Sequence, residues 1–209
     1  MPETYAKLHP ENNIDFIPRF IEGEYEIPFI MSEEYEPALF LPFGSTPLYN
    51  RYEYGIHFFV SDYRFQGLWS NRDKYASMFQ QCKAVMTPDY SMYTNWPVMV
   101  QMWNHYRKHV IGAWMQSIGC KVYPTINWSD ERSYKWCFDG EPWRSTVCVS
   151  SVGTQNNKES KRLFMLGYDK MMEVLEPQTI LFHGIIPKEC TGNIVPVEVF
   201  TKRFKEMRK

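Results

Sequence analysis

No apolar run in the chain approaches the roughly 20 consecutive apolar residues that a membrane-spanning helix requires. The opening stretch, MPETYAKLHPENN, is polar and has no secretory-signal core. Membrane association is therefore not expected. Excess charge is also lacking: 23 Lys and Arg stand against 24 Asp and Glu, a formal net charge of -1. Such a balance does not indicate capture of nucleic acid and leaves only a local basic patch as a route to it. The five cysteines, at 82, 120, 137, 148 and 190, form no CxxC and are odd in number. Buried free thiols in a reducing cytoplasm fit this pattern better than disulfides or a zinc site. Neither a Walker GK[ST], a GxGxxG nor an HExxH occurs.

What the chain does have is aromatic residues, 17% of the total, including 7 Trp and 14 Tyr. Such side chains join an apolar body to a polar tip and suit a cleft or interface as well as a core. The 209 residues, 44% hydrophobic and 22% charged, suit one globular domain with a full core.

Residues 1–50 are rich in Pro, Glu and aromatics without a persistent period, which reads as an irregular N-terminal arm. Residues 51–209 read as a single α/β domain. Its strand-like runs are GIHFFVSD (55–62), CKAVMTPD (82–89), CKVYPTINW (120–128), STVCVSSVG (145–153) and TILFHG (179–184). Helical segments are expected over 71–81, 96–118, 130–138 and 156–177. The longest has Asn95 as a candidate N-cap and Gly119 as a stop. Met99, Met102, Trp103, Tyr106, Val110, Ala113 and Trp114 recur on it at three- and four-residue steps, marking an apolar face. On the last helix Leu163, Phe164, Leu166, Gly167, Met171, Val174 and Leu175 mark the packed face, and Pro177 closes it.

The strand runs are continuous rather than alternating, as in strands covered on both faces. Right-handed βα repeats follow, with a mostly parallel sheet. Both a partial or distorted TIM-like βα-barrel and an open doubly wound sheet satisfy this pattern. The final stretch, GNIVPVEVFTKRFKEMRK, can add an edge or sixth strand before a basic tail.

In either architecture, sites gather at the carboxyl ends of the strands. Those ends carry Ser61, Asp62 and Tyr63; Asp89, Tyr90 and Ser91; Asn127, Trp128 and Asp130; Ser150, Ser151, Gly153 and Thr154; then His183 and Gly184. Asp62 and Asp89 follow successive runs. They can share a divalent metal or divide acid and base roles, unless each only caps a turn. His183 is a candidate general base, or an orienting core residue. Ser151 and Gly153, in SSVGTQNNKES, can hold an anion, although capping by Thr154, Asn156 or Asn157 is the plainer reading. Arg107, five residues before Gly112, can reach a carboxylate at a strand end. Tyr90, Ser91, Asn127 and Trp128 complete the expected ligand contacts. His105 and His109 have a metal-compatible spacing, but among Asn104, Arg107 and Lys108 they read as a polar helix face.

Several of these stretches form an ordered series: YGIHFFVSDYRF, KAVMTPDYSMY, Asn104-x-Tyr106-Arg107 leading to GAWMQSIG, KVYPTINW, SYKWCFDGEPWRSTVCVSSVG and LFHG. Over about residues 40–185 the series resembles an uncharacterised domain-of-unknown-function family of bacteriophages, plasmids and other bacterial mobile elements. The resemblance implies a phage or mobile-element origin and location in the host cytoplasm. It implies no particular activity.

Two functions of different class are compatible with these readings. One is a cytoplasmic enzyme or binding protein for a small anionic ligand such as a nucleotide. Asp62, Asp89 and His183 would move protons, Trp128 would stack on a ring, and Ser151 and Gly153 would hold the anionic end. The other is a non-enzymatic phage accessory protein that contacts a phage or host protein through its aromatic surface, in defence evasion or replication.

Overall fold

The strand order is sequential. The computed structural model describes residues 20–45 and 51–197, together with Asn13, Phe16 and Pro18. The short strands β1 (Ile21–Glu22) and β2 (Ile27–Pro28) pair as an antiparallel hairpin. A four-stranded parallel sheet follows, ordered β3 (Leu39–Pro42), β4 (Tyr54–His57), β5 (Ala84–Met86) and β6 (Val122–Tyr123). A three-stranded parallel sheet holds β7 (Thr146–Ser150), β8 (Thr179–His183) and β9 (Ile194–Pro196). One parallel bridge, Thr125 to Cys148, links the sheets between β6 and β7. The polar opening over 1–12, residues 46–50 and the basic tail over 198–209 lie outside the described residues.

The parallel α/β expectation holds, and β9 is the extra strand anticipated near the end of the chain. No closed sheet forms among the described residues. Nor does the order reverse anywhere, as it would at the switch point of a doubly wound sheet. Leu39–Pro42, expected to be irregular, is a strand of the main sheet. Only four residues long, it shows no period of its own, and its parallel neighbour specifies it. Pro42 and Pro196 lie on the outer strands β3 and β9, where a missing N–H costs least. Between these strands opens a cleft of about 420 Å³.

Helices α1 (Gln66–Ser70), α2 (Ala76–Gln80), α3 (Val98–Ser117) and α4 (Lys158–Leu175) provide the crossovers. Three apolar clusters result. Phe58, Phe65, Phe79, Val85, Ile111, Trp114 and Met115 join α1–α3 to the four-stranded sheet. Val147, Val149, Phe164, Tyr168, Met171, Ile180 and Phe182 join α4 to the three-stranded sheet. The third, Phe40, Ala84, Met86, Tyr123, Cys148, Leu181 and Val197, draws on both sheets and makes them one core.

Asn157 caps α4, its side chain accepting from the Ser160 amide at 2.8 Å. Gly112 lets α3 meet the sheet closely, since a Cβ there would press on Ile30 and on Thr87 Cγ2 at 2.8 Å. The expected apolar face of α3 needs correction in its first half. Met99 is 72% and Trp103 40% exposed, while Gln101, Asn104, His105, Lys108 and His109 are buried. Backbone carbonyls of Trp96, Ser91, Asp139, Thr125 and Pro28, with the buried Glu141 carboxylate, give each of these side chains a partner, so local periodicity is overridden there.

Candidate functional site

The carboxyl ends of β4, β5, β6 and β7 border one cleft of about 610 Å³, at the strand ends where chemistry was expected. Pro88 follows β5 and places Asp89, Tyr90 and Ser91 on its rim. Asp62 opens the turn after β4, and Ser91 ties the two strand ends together. The Ser91 amide and hydroxyl donate to Asp62 Oδ2 and Oδ1 at 3.0 and 2.9 Å. Asn104 of α3 donates to the Ser91 carbonyl at 2.6 Å, which holds this loop to the helix.

Asp89 keeps a partly open face, yet burial raises its carboxyl to about 7. The charge of Lys108 and a hydrogen bond from Asn127 oppose the rise, and the charge of Asp62 adds to it. Asn127 donates to Asp89 Oδ1 at 3.2 Å and to the Tyr90 carbonyl at 2.8 Å. The two carboxyls therefore differ in kind. Asp62 accepts through both oxygens, while Asp89 retains a proton near neutrality. Pairs of this sort divide acceptor and donor roles.

Tyr90 forms part of the wall, and its hydroxyl is buried without a partner. Burial pushes the phenol up to about 12. Arg107 stands behind the ring, its guanidinium 3.7 Å from the ring centroid. It forms no ion pair with a carboxylate among the described residues, contrary to the sequence expectation; it stacks instead.

Trp128 and Phe164 form an aromatic wall, ring centroids 5.5 Å apart. Trp128 rests on Gly167 of α4, where an added Cβ would fall inside the indole. Gly153 lies on the rim with φ +81°. Ser151 faces away, buried, its hydroxyl donating to the Ile185 carbonyl at 2.6 Å. The neighbour Ser150 lines the cleft instead, as strand alternation dictates.

His183 stands behind the cleft wall. Its Nδ1 lies 3.3 Å from Ser150 Oγ, and its ring stacks on Phe59 at 4.6 Å; both partners line the cleft. Burial lowers its pKa. His57, 5.4 Å away between ring centroids, is lowered to about 3 by burial and by His183. Among the expected residues, Asp62, Asp89, Tyr90, Ser91, Asn127, Trp128 and Gly153 share the cleft. His183 is one contact removed, and Arg107 and Ser151 act on neighbouring backbone or rings. The lining contains no Lys or Arg among the described residues.

The sequence reading missed a buried polar cluster beneath this site. Lys108 Nζ lies 2.6 Å from Glu141 Oε1 and donates to the Thr125 carbonyl at 2.9 Å. His109 Nε2 lies 3.0 Å from the same Glu141 oxygen. Burial works to raise the Glu141 pKa, but Lys108 and His109 outweigh it and hold it low. The i, i+4 histidine spacing was the available signal, but nothing local indicated that Glu141 would meet it. Cys120, Cys137 and Cys148 are buried thiols, as expected, whereas Cys82 and Cys190 are half-buried. No helix among the described residues is long and apolar enough to cross a membrane.

Comparison with known proteins matches most of the chain to a family. The sequence model described as "Domain of unknown function (DUF4417)" matches residues 20–201. A "Gene 1 protein" of Mycobacterium phage L5 is 37% identical over 176 residues, 82% of this chain and 76% of that protein. A "Gene 1 protein" of Mycobacterium phage D29 is 34% identical over 189 residues, 88% of this chain and 70% of that protein. No solved structure matches the chain.

Proposed function

The chain belongs to the DUF4417 family, and from that premise we propose that its cleft binds, and carries out acid–base chemistry on, a small ligand of the nucleotide class. The observation that carries this reading is the pairing of Asp62 and Asp89 in one cleft, with Asp89 near neutrality. A volume of about 610 Å³ lies within the range of small-molecule sites. Trp128 and Phe164 suit a planar ring, and the hydroxyls of Ser91, Thr94 and Ser150 suit a sugar. With no basic side chain on the wall, the anionic end belongs near Gly153 and Ser160, at the start of α4. A divalent cation on Asp62 and Asp89 would serve the same end, and Ser150 would relay protons to His183. Sequential parallel strands around a shared interior support reading the fold as a TIM-like barrel left open between β3 and β9.

Thermal shift and calorimetry with nucleosides, nucleotides and Mg²⁺ test the proposal. A Tm rise that disappears in Asp62→Asn and Trp128→Ala is the expected result. Absence of any shift across the panel, with and without Mg²⁺, would sink it.

A second reading rests on a separate observation. Tyr93, Met99, Val100 and Trp103 form an exposed apolar group where α3 begins. A phage accessory protein that docks a phage or host protein would use such a patch. Under that reading Trp103→Ala abolishes capture of a defined partner, and Asp62→Asn leaves capture unchanged. A phage-encoded chain acting in the host cytoplasm is compatible with both readings.

A further inference from the structure

His105, His109 and Glu141 lie beneath the cleft and outside its lining. One ring nitrogen of each histidine and a Glu141 carboxylate oxygen fall within 4.8 Å of one another, and all three residues are buried. The backbone fixes both histidine tautomers. His109 Nδ1 lies 2.7 Å from the Pro28 carbonyl, and His105 Nε2 lies 3.0 Å from the Asp139 carbonyl. A carbonyl only accepts, so each of those nitrogens carries the proton. The opposite nitrogens, His109 Nε2 and His105 Nδ1, are left as lone pairs in the neutral rings.

One of these lone pairs faces a further acceptor. His109 Nε2 is 3.0 Å from Glu141 Oε1, the same oxygen that Lys108 Nζ meets at 2.6 Å. His105 Nδ1 and Glu141 Oε2 are buried with no hydrogen-bond partner among the described residues. Lys108 neutralises Glu141 Oε1, but two acceptors at hydrogen-bond distance, beside two unsatisfied ones, call for a further proton or cation between them. Either a proton makes His109 an imidazolium, or a cation is ligated by both rings and the carboxylate.

The geometry favours the second. Two ligands about 2.0–2.1 Å from one tetrahedral zinc lie about 3.3–3.4 Å apart, and one donor atom from each of the three residues falls within 4.8 Å of the others. Ligating histidines characteristically donate their other N–H to a backbone carbonyl or carboxylate, as both do here. The loop that presents Glu141 is also fitted to this position. Gly140 adopts φ +76°, and a Cβ there would meet the Pro28 carbonyl at 2.7 Å and His109 Nδ1 at 2.9 Å. Glu141 can hold Lys108 through Oε1 and offer Oε2 to the ion. We propose that His105, His109 and Glu141 supply three ligands of a buried site for a divalent transition-metal ion of the zinc class, with water as the fourth, tying α3 to the loop before β7. The inference does not depend on the ligand or chemistry of the cleft.

The full chain, purified without metal-affinity chromatography from zinc-supplemented medium, provides the test. Elemental analysis is expected to find about one zinc per chain, and His105→Gln less than about a tenth of that. A strong chelator should lower the Tm of the parent and leave that of His105→Gln unmoved. If His105→Gln does not fold, Co²⁺ loaded into the parent decides: intense visible d–d bands support a tetrahedral site. A folded parent with no zinc, no Tm response to zinc or chelator, and a His109 Nε2–H seen by ¹⁵N NMR would overturn the proposal in favour of the imidazolium.

Discussion

Asp89 shows how environment outweighs residue type. Its carboxyl is raised from an ordinary 3.8 to about 7, chiefly by burial. The folded state therefore holds the proton more tightly than the unfolded chain. Between pH about 4 and about 7 the unfolded state is ionised while the folded state is not, so stability falls as pH rises through that window. Above it the full penalty remains. Asp89→Asn keeps the hydrogen bond to Asn127 and removes the penalty. Its partly open face reduces the effect, and we expect a gain of about 2 kcal/mol at pH 8. The wild-type decline in Tm across this window should flatten in the variant. Equal pH profiles for the two proteins would mean that Asp89 ionises normally. The position was legible in the sequence as a strand-end aspartate, but its proton affinity was not, because that depends on Asp62, Lys108 and Asn127, brought in from other elements.

At the scale of elements, α4 was read well because its signals are local. Asn157 caps it as anticipated, and Asn157→Ala should cost about 1 kcal/mol in chemical denaturation. Phe164, Gly167, Met171 and Leu175 are buried as its period indicated, whereas Leu166 and Val174 are largely exposed, at 37% and 38%. Gly167 has a purpose beyond the helix: the Trp128 indole occupies the space of its missing Cβ. Alanine normally gains about 1 kcal/mol over glycine inside a helix. Here Gly167→Ala should instead cost about 1–3 kcal/mol and shift the tryptophan fluorescence, since the indole must move. A stabilised variant with unchanged emission would contradict this packing. α3 was read less well. Its buried polar stripe resembles a solvated face until Glu141, 32 residues beyond His109, is placed against it.

For the whole molecule, the interior cluster predicts cooperativity. Phe40, Ala84, Met86 and Tyr123 of one sheet pack with Cys148, Leu181 and Val197 of the other side. Leu181→Ala should cost about 2–5 kcal/mol and move a single unfolding transition to lower temperature. A melt that splits into two steps would show that the sheets fold independently.

By itself the sequence determined the five main strand runs, the two long helices, that the sheet is parallel, and which strand ends carry polar groups. These follow from hydrophobic runs, caps and breakers within one element, so no distant partner is needed to recognise them. Leu39–Pro42 was not legible as a strand, and of the helix expected over 130–138 only the 3-10 turn Ser133–Lys135 forms. The sequence also placed the chain near its family through an ordered set of motifs. Only the tertiary structure decided that Ser150 rather than Ser151 faces the cleft, that Arg107 stacks on Tyr90, that the parallel strands form two sheets without closure among the described residues, and that two histidines meet a glutamate in the core. The physical reason is the same in each case. Side-chain direction, charge state and burial depend on groups far away in the chain, and those groups exert their fields and contacts only after the strands have assembled.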